Sequence, residues 1–357
     1  MAPSPLRLLL GGDVLLGRGL DQCMASHCDP VLHEPYVRDA RYYVELAERC
    51  HGPIATPMAA ADPWGEALPL LVALQPDLRI VNLEAAVTTA DRPWPGKALH
   101  YRLHPANGVC LQAAGIDACC LANNHVLDWG LNGLAQTLRS LRQVQGPARL
   151  PLPEGGRLLL FAWALASSGV PLTWGARLDQ PGVALLPAID RGTAKWMSGC
   201  IRRQRCRGDR VVVALHWGAN WVPVVPEAHR WLARQLIDLA EVDVVYGHSS
   251  HHPLPLEIHA GKLILYGCGD LINDSEGLPL HGPWRSDLVC CHLLDLDPDT
   301  GALLGLTLNP FQLHRRLAVG AALPQWRRVL RADPGRRPLC RRTLHRLRLQ
   351  LRTPRHD

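Results

Sequence analysis

Seven polar side chains of types that bind divalent cations stand out in this sequence, because most of them lie where an apolar run stops. Asp13 follows Leu8-Leu9-Leu10-Gly11-Gly12, and Glu84 follows Ile80-Val81-Asn82-Leu83. Asn124 and His125 follow Cys119-Cys120-Leu121-Ala122-Asn123, His216 follows Val211 to Leu215, and His248 and His251 follow Val244-Val245-Tyr246-Gly247. Short apolar runs bounded by Gly and polar residues are read as buried strands. Side chains at the ends of such strands gather on one sheet edge, where α/β folds place their sites. Carboxylates, an amide oxygen and imidazoles meeting there suit one or two divalent ions.

Each piece has a plainer reading beside the chemical one. Asn-Asn-His alone is an ordinary turn tripeptide, and Asp13 alone is a turn residue after two glycines. Three imidazoles within the stretch from His248 to His252 are harder to assign to packing, although spacing does not decide whether His251 or His252 points inward. A protonated imidazole at His125 can neutralise developing charge or protonate a leaving group. Buried carboxylates at Asp13 and Glu84 need a metal or an arginine. Arg18 is a candidate partner for Asp13, or a fork for a carboxylate or phosphate of the substrate.

The elements that must position these residues alternate strand and helix. Strands are expected at 6–10, 78–83, 116–121, 157–165, 210–215, 243–246, 262–266, 288–296 and 303–308, and helices at 64–74, 106–114, 129–144, 194–205 and 227–240. Asp128 is placed to cap the third helix. Residues 11–20 are read as a turn, and the stretch 21–63 shows no clean period. Alternation early and consecutive strands late predict a layered α/β sandwich with two sheets.

Composition sets the limits. The 357 residues are 47% hydrophobic and 20% charged, the balance of a folded globular protein rather than a disordered one. Of the 12 cysteines, Cys119-Cys120 and Cys290-Cys291 are adjacent pairs within apolar runs, and no CxxC pair occurs. This argues against a disulfide scaffold or zinc ribbon and for buried free thiols in a reducing compartment. No stretch has the roughly 20 apolar residues of a membrane span, and Leu8-Leu9-Leu10 is too brief for a secretory leader, so a cytoplasmic protein is expected. The 11 Trp against 2 Phe are assigned mainly to core and groove packing. Residues 321–357 hold 11 Arg against Asp333 and Asp357, a formal +9, while the whole chain is +6, so residues 1–320 carry −3. The expected organisation is one domain at 5–315 and an Arg-rich extension at 316–357. In the extension, Leu344, Leu347, Leu349 and Leu351 among arginines are read as an amphipathic helix packed on the main domain, with contact to a polyanion or membrane surface as the alternative.

These motifs resemble, in order, those of the CapA family of poly-γ-glutamate capsule biosynthesis proteins, within the calcineurin-like metallophosphoesterase superfamily. They are Gly-Gly-Asp-Val-Leu-Leu-Gly-Arg (11–18), Asn-Leu-Glu (82–84), Leu-Ala-Asn-Asn-His-Val-Leu-Asp-Trp-Gly (121–130), His-Trp-Gly (216–218), Gly-His-Ser-Ser-His (247–251) and Leu-Ile-Leu-Tyr-Gly-Cys-Gly-Asp (263–270). The resemblance covers about residues 7–275. It implies a four-layer αββα sandwich of the metallo-dependent phosphatase type and two divalent ions, manganese, zinc or iron. Asp13 and His251 would bind one ion, and Asn124, His216 and His248 the other. Glu84 would bridge the two, and His125 would be the catalytic imidazole. The implied function is a part in capsule or poly-γ-glutamate biosynthesis as a hydrolase using a metal-bound hydroxide on a phosphoester or γ-glutamyl amide. The alternative is an anionic-polymer binding or assembly component with a degenerate metal site, and no specific nucleic acid is expected as partner. This chain departs from the family pattern at Ala219 and Asn220, where acidic residues are frequent, and at Gly269-Asp270, where Gly-Asn is usual.

Overall fold

In the computed structural model, residues 4–141, 148–278 and 285–314 are described, together with the backbone of 317–320 and 328–331. The chain opens with β1 (Leu6–Val14), then α1 (Gly19–Gln22), α2 (Arg41–His51) and α3 (Ala67–Ala73) before β2 (Leu78–Leu83). A short parallel pair, β3 (Ala86–Val87) and β4 (Arg102–Leu103), is followed by α4 (Val109–Ala113), β5 (Ala118–Cys120) and α5 (Gly130–Ser140). The middle of the chain forms β6 (Ala148–Pro151), β7 (Arg157–Leu165), β8 (Leu185–Leu186), α6 (Arg191–Gln204), β9 (Arg210–His216), α7 (Glu227–Ala240), β10 (Val244–His248), β11 (Leu256–His259) and β12 (Lys262–Leu265). It ends with β13 (Asp270–Ile272), β14 (Leu288–Leu296), β15 (Leu303–His314), β16 (Leu317–Gly320) and β17 (Arg328–Arg331).

These strands form two main sheets. One runs β16-β15-β14-β1-β2-β5, with β13 also on β1 and β17 also on β15; the other runs β11-β12-β10-β9-β7-β6, with β8 on β7. Period-2 alternation sends successive side chains to opposite faces, and here both faces are apolar. Leu8 and Leu10 of β1 pack with Val244 and Tyr246 of β10 in a core between the sheets. Leu9 turns the other way, into a cluster with Trp64 and with Ala67 and Leu71 of α3. Across the second sheet, Val211, Val213 and Leu215 of β9 meet Ala194, Met197 and Ile201 of α6 and Leu232 and Leu236 of α7. The layers are therefore helix, sheet, sheet, helix: a four-layer αββα sandwich. The adjacent cysteines obey the same rule. Cys120 and Cys290 face the inter-sheet core, and Cys119 and Cys291 the outer one. The described cysteines are free.

Several boundaries differ from expectation for local reasons. The segment 11–20 is not all turn, because β1 continues through Gly11 and Gly12 to Val14, held by β2 on one side and β13 on the other. Gly12 permits this contact: a Cβ there would lie 1.7 Å from the Gly269 carbonyl oxygen. The unread stretch 21–63 contains α2 and long loops. In the C-terminal extension, β16 and β17 both pair with β15, so a boundary at 315/316 falls within a sheet and the extension is not helical throughout. Leu344 to Leu351 lie outside the described residues. Among the described residues no helix is long and apolar enough to cross a membrane.

Candidate metal centre

Parallel strands from both sheets deliver the candidate residues to a common edge. His216 and His248 are the last residues of β9 and β10 and sit directly opposite each other in register. Asp13 is the penultimate residue of β1, opposite Asn82 of β2 on one side and Asp270 of β13 on the other. Glu84 follows β2 by one residue. Beneath them the Tyr246 hydroxyl of β10 donates to the Gly11 carbonyl of β1, so the two sheets are joined next to Asp13. Gly247 lets the strand end come close to its neighbour, because a Cβ there would lie 2.3 Å from the Tyr266 carbonyl oxygen. Beyond it the chain takes positive φ at Ser249 (81°) and His251 (54°), a conformation unusual for residues with side chains and common where a site dictates the backbone.

Asp13, Glu84, His216 and His248 are at most 1% exposed. Asp13 Oδ1 accepts from Asn82 Nδ2 at 2.8 Å and Oδ2 from the Ser249 amide at 3.1 Å. His216 Nε2 is 3.1 Å from Asn124 Oδ1 and 3.7 Å from Glu84 Oε1. Potential ligand atoms of Asp13, His216 and His248 lie within 4.8 Å of one another, and so do those of Asp13, His251 and Asp270. Asp13 thus belongs to both groups. The choice left open by spacing is resolved geometrically: His251 Nδ1 faces Asp270 (2.8 Å) and Asp13 (3.7 Å), whereas His252 Nδ1 contacts the Ser250 carbonyl and its ring stacks on Trp221.

Burial dominates the electrostatics of this cluster. Burial raises the Asp13 pKa, His251 opposes that and Asp270 adds to it, leaving Asp13 near 6. Glu84 is pushed well above its usual range by burial and then by Asp13. Burial alone lowers His248 to about 3; burial, then His248 and His251, put His216 well below its usual value. Both imidazoles are therefore neutral, the form that binds metals. His251 is the exception: burial works against its charge, but Asp270, Glu84 and Asp13 outweigh it and raise it to about 10. Both Glu84 oxygens and His248 Nε2 are buried without a hydrogen-bond partner. Among the described residues, no arginine or lysine pairs with Asp13, Glu84 or Asp270. Orphaned oxygen and nitrogen donors around clustered carboxylates fit divalent cations, since an unpaired buried polar group is costly.

His125 stands beside this cluster, its Nε2 3.8 Å from Glu84 Oε1. Its Nδ1 donates to Asp128 Oδ2 at 2.6 Å, which fixes the ring and directs Nε2 toward the carboxylates. Burial lowers its pKa, with Asp128 opposing and Lys97 assisting, to about 4. Asp128 is not the helix cap that its position suggests. The residue before α5 is Trp129, without a side-chain cap, while the Asp128 carboxylate takes His125, the Tyr101 amide and Lys97. Lys97 also donates to the Asn124 carbonyl, and Asn123 Oδ1 accepts the His125 and Val126 amides. Sequence reasoning missed these supports. Asn82, Asn123 and Asp128 stood within the quoted motifs, whereas Lys97, 27 residues before Asn124, left no local signal.

Arg18 is not the partner of Asp13. Its guanidinium, 3% exposed, binds Asp274 with two nitrogens and Glu34 with the third, between the rings of Tyr43 and Tyr101. Burial works against its charge, but Asp274, Tyr101 and Glu34 hold it well above its usual pKa. Its donors are thus engaged within the fold. It touches the candidate centre only indirectly, through the Tyr101 ring against His125 (centroids 4.7 Å apart).

Comparison with known proteins shows the family of the chain. The chain is 40% identical over 329 residues to a Mycobacterium tuberculosis protein named "Probable polyglutamine synthesis accessory protein", covering 88% of this chain and 86% of that protein. It is 26% identical over 193 residues to the "PGA biosynthesis protein CapA" of Bacillus subtilis, covering 50% and 48% of the two chains. A solved structure titled as a novel phosphatase of Mycoplasma pneumoniae superposes with a TM-score of 0.49 at 14% identity, covering 87% of this chain and 95% of that one. The family model described as "Bacterial capsule synthesis protein PGA_cap" matches residues 7–275, which contain every residue of the cluster above, and the chain belongs to that family.

Proposed function

We propose that this chain is a divalent-metal-dependent hydrolase serving capsule or poly-γ-glutamate synthesis, with a γ-glutamyl amide or a phosphoester as the bond cut. The observation that carries the reading is the buried group of Asp13, Glu84 and neutral His216 and His248, in which both Glu84 oxygens and His248 Nε2 have no hydrogen-bond partner and, among the described residues, no arginine or lysine balances the carboxylates. Asp13, Glu84, Asn124, His216, His248 and His251 would hold one or two ions. Bound ions of this kind polarise the scissile bond and make water a better nucleophile. The protein's own contribution is positional: Asp128 holds His125 by Nδ1, and Nε2 is left to exchange a proton with the substrate or leaving group. The names of the relatives favour the polymer as substrate, and the Arg-rich residues 321–357 supply a positive segment suited to an anionic chain.

The test is a protein purified without chelators, its metal content measured and then assayed with manganese, zinc or iron. Phosphodiester, phosphomonoester and poly-γ-glutamate substrates separate the two bond types. His125→Ala is expected to lower kcat by about 100-fold or more while metal content is kept; His216→Ala is expected to lose metal. A wild-type protein that carries no metal and turns over none of the three substrates would overturn the proposal. If wild type instead binds poly-γ-glutamate without cutting it, with affinity that falls steeply with salt and on deletion of 321–357, the non-catalytic reading replaces it.

A further inference from the structure

Asp270 stands where the family motif usually has asparagine, and it completes a set of donors that the motifs did not suggest. It is the first residue of β13 and lies directly opposite Asp13 in the parallel pairing with β1. It is 2% exposed. Oδ2 accepts from Asn273 Nδ2 at 2.7 Å, which orients the carboxylate, and Oδ1 is 2.8 Å from His251 Nδ1. Donor atoms bound at right angles about 2.1 Å from one ion stand about 3 Å apart, so this spacing suits shared coordination as well as a hydrogen bond.

Charge separates the two roles. Asp13, Glu84 and Asp270 are three buried carboxylates gathered at one sheet edge, and among the described residues no arginine or lysine pairs with any of them. A carboxylate that served only to orient His251 would add an anion beside two that no arginine or lysine balances among the described residues, and that is costly. As a ligand it adds charge where a dication gains from it. We propose that Asp270 is a ligand of a divalent cation, closing an oxygen-rich half-site with Asp13 and His251 beside an imidazole-rich half-site of Asp13, His216 and His248. The inference rests on the metal-centre reading above and extends it. The two halves differ in chemistry: the first suits a harder ion such as Mn²⁺, the second an ion that favours nitrogen such as Zn²⁺, with Asp13 common to both.

The test compares wild type, Asp270→Asn and Asp270→Ala by calorimetric titration with Mn²⁺, metal analysis and the electron paramagnetic resonance of bound Mn²⁺. Circular dichroism melting checks that each variant is folded. Asparagine keeps an acceptor for His251 Nδ1 and removes the charge, so it spares an orienting role and damages a ligating one. The expected result is that Asp270→Asn weakens one of the two Mn²⁺ ions by more than about 100-fold, the ceiling for losing an outer partner. The exchange-coupled signal of a Mn²⁺ pair should then give way to that of a single ion. Asp270→Asn that holds both ions within about 100-fold of wild type overturns the assignment of Asp270 and leaves the centre standing. Wild type that takes up no divalent ion overturns the centre itself, and this proposal with it.

Discussion

Arg18 shows how a single side chain is assigned by its surroundings rather than by its type. An arginine five residues after a candidate ligand invites a role at that ligand, but Arg18 is enclosed by Glu34, Asp274 and two tyrosine rings. In that environment it anchors the loop after β13 to the loops that follow β1. Arg18→Met removes the cation faced by two buried carboxylates and is expected to cost about 3–5 kcal/mol of stability, measured by urea unfolding. His125 is placed the opposite way. Its partner Asp128 is three residues off, so its orientation was within reach of a local motif, whereas the Lys97 that grips Asp128 and the Asn124 carbonyl comes from a distant loop.

At the scale of elements, two kinds of position matter: those that let strands approach and those that bury an ionisable group between them. Gly12→Ala drives a methyl group into the Gly269 carbonyl, so it is expected to destabilise by at least about 2 kcal/mol and to weaken metal uptake, because Asp13 is the next residue. His292 on β14 lies opposite Leu10 and is 4% exposed, and burial lowers it to about 4. Its folded pKa lies below the unfolded value near 6.5, so the unfolded chain takes the proton first. The related stability is intact above pH 6.5 and is lost as pH falls toward 4, by about 2 kcal/mol at pH 5. His292→Leu removes that share. Urea midpoints at pH 7 and pH 5 should therefore differ less in the variant than in wild type. The strands themselves were largely legible. Leu78–Leu83, Arg157–Leu165 and Leu288–Leu296 match the apolar runs, because burial on both faces leaves a continuous hydrophobic signature. The three-residue β13 and the strand part of 11–14 were not, since glycine and aspartate carry no strand signal and only the neighbouring strands hold them extended.

For the whole molecule, the candidate ligands come from both sheets: Asp13 and Glu84 from the first, His216, His248 and His251 from the second. An ion held there joins the two halves of the sandwich, as the Tyr246–Gly11 hydrogen bond already does. Adding Mn²⁺ at about 100 times its Kd should raise stability by about 2.7 kcal/mol, seen as a higher Tm that EDTA reverses. Asp13→Ala, which removes the residue common to both candidate groups, should abolish the response. Sequence alone determined the alternating elements, the apolar faces, the family motifs and the residue types of the centre, since each of these is written in local order and period. Only the tertiary structure decided that Asp13 stands in both candidate groups, that Asp270 lies opposite it, that His251 rather than His252 turns toward Asp13 and that Arg18 pairs with Asp274 and Glu34. Those outcomes depend on registers between strands far apart in the chain and on which charges share one low-dielectric space, and neither is encoded in the spacing of neighbours.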